Sequence, residues 1–376
     1  MFSSCTLFNG KLFFVEIQNG LPAMMDLNNG EVTYCDALNG FDYIAGGDMV
    51  DFIQSYGNKV YILENAGINL IIFDLVKKQC QYIELKCNCN SWGNYSAFER
   101  YGPYLYIFPK YENKIIVLDT NKNEITEKQN CFDEKRRIQC TCRVDNQVWI
   151  LLQDISMIYA YDLVTEKLKS YKLERILEDC IDAIHVDGNI YILNQFGIVY
   201  VWDIDNEKLQ EITMLEVEHT EDKSMCRIIY AGDKLIFFPA WSADIKILDL
   251  LTAEIKVYHD YPVDFKYHEI KWSKFHRSCE DKDYYYFAMR LGNYFLKICK
   301  SDGKLLWIKP KLPSDEKRIK SQDLFVEQKI RLYVKEKNTI HEEEYIGITR
   351  IINTCLEENC VEKESCMGEV IYKKMK

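Results

Sequence analysis

Residues 105–119 read LYIFPKYENKIIVLD, and residues 235–249 read LIFFPAWSADIKILD. The two stretches match position for position. In each, an apolar run that ends in Phe-Pro is followed by a second apolar run that ends in Asp, so that Phe108 aligns with Phe238 and Asp119 with Asp249. A motif that returns at this length indicates an internal structural repeat.

The motif returns seven times within the first 310 residues, and a polar turn precedes each copy. Such turn residues reach positive φ or have a preset φ, which suits β-hairpins. Their spacing of 42–49 residues fits a four-stranded blade and is too short for a βαβ unit plus a hairpin. We therefore predict an all-β, seven-bladed β-propeller over residues 1–310. The turns are Asn9–Gly10, Gly57–Asn58, Gly102–Pro103, Asp145–Asn146, Asp187–Gly188, Gly232–Asp233 and Asp281–Lys282.

The strands of each unit have distinct patterns. Second strands such as residues 148–151 (VWIL) are apolar throughout, which indicates burial on both faces between two other blades. Fourth strands such as residues 81–85 (QYIEL) alternate between polar and apolar residues, as expected at an outer edge. Third strands end in Asp, and we predict that its carboxylate accepts backbone N–H groups and closes the following turn. These residues are Asp26, Asp74, Asp119, Asp162, Asp203 and Asp249.

The seventh unit departs from the pattern. Its third strand, residues 294–299 (YFLKIC), lacks the Asp and leads into SDGKLLW at residues 301–307. Terminal repeats are expected to be atypical, but six blades plus a divergent module is the main alternative. Residues 1–8 are predicted to form the inner strand of blade 1, so that ring closure needs no strand from the C-terminus.

Short motifs carry a resemblance to known propellers. Residues 115–125 (IIVLDTNKNEI) look like the strand-turn-strand of YVTN-type repeats, and residues 303–307 (GKLLW) resemble the end of a quinoprotein-type repeat. The kelch Gly-Gly doublet is missing, and a Trp-Asp pair occurs only at Trp202–Asp203. The resemblance is to generic YVTN-like, quinoprotein-like or kelch-like propellers and to no specific family. It implies the fold and carries over no active residue.

Charge and composition exclude several partner classes. The 376-residue chain has a formal net charge of −11, and residues 311–376 hold equal numbers of basic and acidic side chains, so the excess lies in residues 1–310. An acidic body repels phosphate backbones and anionic lipid, so we expect neither nucleic acid nor membrane as a partner. The N-terminus lacks the pattern of a signal peptide, and no apolar run reaches the ~18 residues of a membrane helix. We expect a cytoplasmic protein of undefined oligomeric state.

The fifteen Cys residues are interpreted as reduced thiols packed in strands, since disulfide scaffolds are usually short secreted chains. Cys87 with Cys89, and Cys140 with Cys142, would place two thiols on one strand face, which leaves a metal site as a minor alternative. Phosphate-binding, nucleophile and zinc-protease motifs are missing. We predict no cofactor and no metal.

Residues 311–376 are predicted to form a helical C-terminal extension. A stripe of apolar side chains at helical spacing occupies residues 345–356, and residues 315–338 show a weaker pattern. We expect this extension to cap the propeller or to dock a partner.

Candidate ligand contacts lie on the long loops that precede the inner strands or follow the second strands, because function collects on loops held by a rigid scaffold. Aromatic rings beside polar groups suit peptide or sugar ligands. The candidates are Tyr43, Trp92, Tyr95, Trp241, Trp272, His276 and Arg290.

Two functions fit this pattern. The first is a non-catalytic interaction or scaffold module that binds a protein, peptide or glycan through its loop face. The alternative is a propeller enzyme, a lyase or hydrolase acting on a carbohydrate or modified peptide, with His and carboxylate groups in the central funnel. Propeller sites draw residues from many blades and leave no local motif, so the fold does not decide between them.

Overall fold

The chain folds into seven antiparallel four-stranded sheets, each with its strands in chain order. This architecture confirms the predicted all-β, seven-bladed propeller and excludes the six-blade alternative. The computed structural model describes residues 2–16, 21–35, 50–64, 69–87, 94–129, 131–132, 137–153, 155–215, 225–240, 244–265, 275–289 and 292–314.

Each blade takes four consecutive strands, numbered here from the inner strand outwards. Blades 1 to 3 contain β1 (Phe2–Phe8), β2 (Lys11–Glu16), β3 (Leu21–Asp26), β4 (Val32–Tyr34), β5 (Val50–Tyr56), β6 (Lys59–Glu64), β7 (Asn69–Asp74), β8 (Gln79–Glu84), β9 (Tyr95–Tyr101), β10 (Tyr104–Pro109), β11 (Lys114–Asp119) and β12 (Glu124–Gln129). Blades 4 and 5 contain β13 (Ile138–Val144), β14 (Gln147–Leu152), β15 (Met157–Asp162), β16 (Leu168–Lys172), β17 (Cys180–Val186), β18 (Asn189–Asn194), β19 (Ile198–Asp203) and β20 (Lys208–Met214). Blades 6 and 7 contain β21 (Met225–Ala231), β22 (Lys234–Pro239), β23 (Lys246–Asp249), β24 (Ile255–Val257), β25 (Phe275–Glu280), β26 (Tyr284–Met289), β27 (Phe295–Cys299) and β28 (Leu305–Ile308).

The apolar core is divided among the interfaces between neighbouring blades. Between blades 4 and 5, the fully buried Trp149 stacks on Tyr171 at 5.0 Å between ring centroids, and Tyr171 meets Trp202 edge-on at 6.4 Å. Second strands such as β14 are buried along almost their whole length, whereas the outer strand β24 is exposed at all three residues. The burial of the second strands is that predicted from the sequence, whereas β24 is exposed throughout and does not alternate.

The third-to-fourth-strand turns repeat one design. The carboxylate of the terminal Asp accepts backbone N–H groups two or three residues on, as Asp162 does from Val164 at 2.9 Å and Thr165 at 2.7 Å. All six predicted Asp residues make such bonds. The fourth residue after the strand end then takes positive φ in every blade. These residues are Gly30, Lys78, Asn123, Glu166, Glu207, Ala253 and Gly303.

Acid should weaken these turns. The backbone N–H of Thr165 lowers the pKa of Asp162, the side chain of Asn206 lowers that of Asp203, and the N–H of Thr252 lowers that of Asp249. Because the folded pKa lies below the unfolded value, the stabilisation is present above about pH 4 and is lost as pH falls through the folded pKa.

The test is a triple Asp-to-Asn variant at these three positions, since Asn keeps the acceptor oxygen but does not titrate. We expect urea unfolding midpoints of wild type and variant to converge as pH is lowered from about 6 to about 2. A stability difference that is constant over this range would contradict the prediction.

The ring closes through the inner strands, because each inner strand contacts the next and β25 contacts β1. At the closing seam, Sγ of Cys5 lies 3.6 Å from Sγ of Cys279, and the rings of Phe14 and Phe295 are 5.0 Å apart. Blade 1 takes all four strands from residues 2–34, as predicted, so that no C-terminal strand completes its sheet.

A short clasp also ties the end of blade 7 to the outer edge of blade 1. Lys311 donates its backbone N–H to the carbonyl of Gly30 at 2.7 Å and accepts from the N–H of Val32 at 3.0 Å. Glu31 and Lys311 form a parallel β-bridge. Gly30 has a φ of +74°, and a Cβ there would lie 2.6 Å from the carbonyl oxygen of Lys309. The clasp therefore requires glycine at this turn.

Replacement of Gly30 by Ala should separate the clasp from blade 1. Gly10→Ala is a matched control, because Gly10 also has a φ of +74° but has open space around it. We expect the control to cost about 1–2 kcal/mol through backbone strain. Gly30→Ala should cost at least about 1 kcal/mol more through steric overlap. Equal losses in urea unfolding would contradict a stabilising clasp.

The helical extension was predicted from residue 311, but residues 311–314 contain no helix, and Lys311 forms the β-bridge of the clasp. The remainder of the extension, from residue 315 onwards, lies outside the described residues. Within the ranges given above, no helix has the length and apolarity needed to cross a membrane.

Candidate ligand site in the central funnel

Every inner strand contains a β-bulge close to its first residue. In β13, for example, Ile138 pairs with Leu152 and Cys140 with Leu151, which leaves Gln139 as an extra residue. Bulges bend a strand and redirect its side chains, and they are common beside functional sites. The extra residues are Asp51, Ser96, Gln139, Ile181 and Cys226, with one more between Phe2 and Cys5 and one between Phe275 and Ser278.

The bulged ends of β9, β13, β17, β21 and β25 surround a cavity of about 340 Å³, called the central funnel below. The ends of the second strands of blades 3 to 5 reach the same cavity. The cavity opens on the loop face for which the sequence predicts a ligand site. The volume lies at the lower end of the ~300–1,000 Å³ of small-molecule pockets.

Three consecutive blades present polar side chains from a fixed backbone. In each of these blades, the carbonyl of the residue before the inner strand accepts a hydrogen bond from the backbone N–H of the residue after the second strand. We call these couples the rim pairs, and they are Asn94 with Lys110 at 2.7 Å, Arg137 with Gln153 at 2.8 Å, and Asp179 with Gln195 at 2.9 Å.

Two members of the rim pairs also bond to the next blade. The Lys110 carbonyl accepts from Ile138 N–H at 3.0 Å, and the Gln195 carbonyl accepts from Met225 N–H at 3.2 Å. Both residues are therefore bonded at their N–H and at their C=O, so the polar rim is preorganised.

An ion pair joins blades 5 and 6 at the funnel wall. Nη1 of Arg227 lies 3.0 Å from Oδ1 of Asp182, and Oδ2 of Asp182 accepts the N–H of Ile228 at 3.0 Å. The side chains are 17% and 14% exposed. Both carboxylate oxygens are therefore occupied within the protein, so that this pair positions the wall and contributes little net charge to it.

Cys140 and Cys180 of the funnel are poor nucleophiles. Burial raises the pKa of Cys180 to about 12 and that of Cys140 well above its usual value. At neutral pH both thiols are protonated and act as small apolar groups. Among the described residues, no group of His, Cys, Asp and Glu side chains is arranged to hold a metal ion, and Cys89 of the predicted Cys87–Cys89 pair lies outside them.

Of the predicted contact residues, two fall within the described part of the chain. Tyr95 borders the funnel at the start of β9, but its ring is packed in the core and is 1% exposed. His276 lies within the bulge of β25, directly after Phe275, which borders the funnel. The other candidates, Tyr43, Trp92, Trp241, Trp272 and Arg290, lie outside the described residues.

Sequence reasoning missed the polar residues of the funnel, among them Arg137, Asp179, Asp182 and Arg227. The available signal was the repeat itself, because Lys110, Gln153 and Gln195 each directly follow the second strand of their blades. The sequence-based prediction favoured aromatic residues in the loops and therefore did not include this shared position.

Comparison with known proteins supports the fold and no particular family. No family model and no curated protein matches the chain. Among solved structures it is similar to PorZ, an essential bacterial surface component of the type IX secretion system of Porphyromonas gingivalis, with 13% identity and a TM-score of 0.55 over 84% of this chain. A second similar structure is the computationally designed Ika8 protein, with 12% identity and a TM-score of 0.53, covering 81% of this chain and 85% of that one.

The chain spans only 38% of the length of the PorZ chain, and both identities are too low to indicate more than a shared fold. The fold and the funnel thus define the protein as a seven-bladed β-propeller with a polar central funnel.

Loss of the wall ion pair should destabilise the ring. Asp182→Ala leaves Arg227 and the N–H of Ile228 without their acceptor in a largely buried place, and we expect a cost of about 2–3 kcal/mol. Glu211→Ala is the matched control, because it breaks an ion pair with Arg175 of similar length, 3.1 Å, whose side chains are 46% and 49% exposed. The control should cost less than about 1 kcal/mol in urea unfolding. Equal losses would contradict a structural role of Asp182.

Proposed function

We propose that the protein is a non-catalytic binding module whose ligand enters the central funnel at the face where the inner strands begin. The observation that carries this proposal is the set of rim pairs, whose backbone hydrogen bonds fix polar residues of three adjacent blades around one cavity, with Lys110 and Gln195 also bonded to the next blade. Preorganised polar groups lose little entropy on binding and therefore favour recognition.

The chemistry of the described wall supports binding more than catalysis. The Asp182 carboxylate is occupied by Arg227 and by a backbone N–H, and the thiols of Cys140 and Cys180 are protonated at neutral pH. His185, on β17, accepts the N–H of Gly188 at 3.1 Å in the turn at the opposite end of the strand. Its side chain is half-buried.

We further propose a protein, peptide or glycan ligand, repeats of the generic YVTN-like, quinoprotein-like or kelch-like kind, a cytoplasmic location, and a helical extension from residue 315 onwards that caps the propeller or docks a partner. Neither nucleic acid nor membrane is expected as a partner, because the chain is acidic.

Filling the funnel should abolish binding. Gln153 is half-buried in the funnel wall, so Gln153→Trp would place an indole in the cavity without disturbing a core position. Lys122→Trp is the control, because Lys122 is 67% exposed in a turn on the opposite face. The fluorescently labelled proteins are applied to an array of peptides and glycans.

We expect Gln153→Trp to lose at least about tenfold in affinity for every peptide or glycan that the wild-type protein binds, equivalent to about 1.4 kcal/mol. Lys122→Trp should bind as wild type does. If Gln153→Trp binds the same features as wild type, the funnel is not the ligand site.

A further inference from the structure

We infer that the ligand of the central funnel is a short peptide segment that carries a carboxylate, and that Arg137 is the group that recognises this carboxylate. The inference rests on the proposed function and assigns it a ligand class. It follows from the charge of the rim, the state of Arg137 and the amide-rich wall.

Charge is distributed unevenly among the described residues of the rim. Lys110 of blade 3 and Arg137 of blade 4 are cationic, whereas Asp179 of blade 5 is anionic. Beyond Asp179, the ion pair of Asp182 with Arg227 is nearly neutral. A ligand that lies across blades 3 to 5 is therefore favoured when its negative group faces blades 3 and 4 and its other end is neutral or positive.

Arg137 is free to make a new ion pair. Its side chain is exposed, and its guanidinium carbon lies 5.6 Å from the ring centroid of Tyr111. In the part of the chain that the structure describes, no carboxylate pairs with it. Its carbonyl is fixed by the N–H of Gln153. A guanidinium that stacks on a ring keeps its N–H donors at the edge, where a carboxylate can accept two parallel hydrogen bonds.

The rest of the wall suits peptide groups. Gln139, Gln153 and Gln195 provide amides that can donate to a carbonyl and accept from an N–H. Oε1 of Gln139 is buried and has no hydrogen-bond partner among the described residues. An unpaired buried acceptor is unfavourable, so rotation of this amide towards a ligand N–H would recover the lost hydrogen bond.

A glycan fits this wall less well. Sugars commonly stack their apolar faces on exposed aromatic rings. The two aromatic residues of the described wall, Tyr95 and Phe275, are each 1% exposed and offer no such surface. Tyr111 is 45% exposed, but the guanidinium of Arg137 lies over its ring. The observations therefore favour a peptide, and a glycan becomes one outcome of the test.

The test compares labelled peptide pools of equal length, in which one position is Glu, Gln or Lys and the others are random, by fluorescence polarisation with the full chain. We expect the Glu pool to bind at least about tenfold more tightly than the Gln pool, and the Lys pool to bind most weakly. Arg137→Gln should remove the preference for the Glu pool over the Gln pool.

Arg100→Gln is the matched control. Arg100 also lies over a tyrosine, with its guanidinium carbon 5.7 Å from the ring centroid of Tyr56, but it is at the opposite end of β9 from the funnel. This variant should keep the preference for Glu in full. Circular dichroism of both variants verifies that each is folded.

The outcomes separate the inference from the proposed function. Equal binding of the Glu and Gln pools, or an unchanged preference in Arg137→Gln, overturns the inference. Binding of glycans alone on the array, blocked by Gln153→Trp, also overturns it but supports the funnel as a binding site. Peptide binding that survives in Gln153→Trp overturns both.

Discussion

Closure of the ring is the constraint on which the rest of the structure depends. A blade buries its apolar faces only against two neighbours, so the first and last blades must meet before either is stable. Here the seam has two layers: the inner layer packs Cys5 beside Cys279 and Phe14 against Phe295, and the outer layer is the backbone clasp of Lys311 on Gly30. Neither layer exchanges a strand, so each blade keeps its own four.

Closure also brings the starts of the inner strands together. Seven inner strands lie around one axis, and each contains a bulge close to its first residue. The extra residue of a bulge has no regular ladder partner. Exposed or half-buried N–H and C=O groups need partners, and the rim pairs provide them between the ends of two strands. The polar site is thus a consequence of how the strands begin.

Local features of the sequence predicted the scaffold well. The terminal Asp of each third strand acts within its own turn, as Asp162 does towards Val164 and Thr165, so its role follows from a few neighbouring residues. The turn residues and the buried second strands are local in the same sense. The seven bulges, the clasp and the pair of Asp182 with Arg227 depend on contacts between residues far apart in the chain. No local sequence pattern indicates these contacts. The sequence therefore predicted the face on which the candidate site lies but not its polar residues.

The electrostatics of the molecule bear on how such a funnel selects a ligand. The chain as a whole is acidic, with a net charge of −11, and repels a carboxylate at long range. At about 0.1 M salt this repulsion is screened beyond roughly 10 Å, whereas a guanidinium in contact with a carboxylate is screened much less. Recognition at Arg137 therefore acts only after the ligand has entered the funnel. An acidic body with Lys110 and Arg137 on its rim would slow the approach of all acidic peptides. It would retain only those whose carboxylate reaches these residues and whose backbone engages the neighbouring amides.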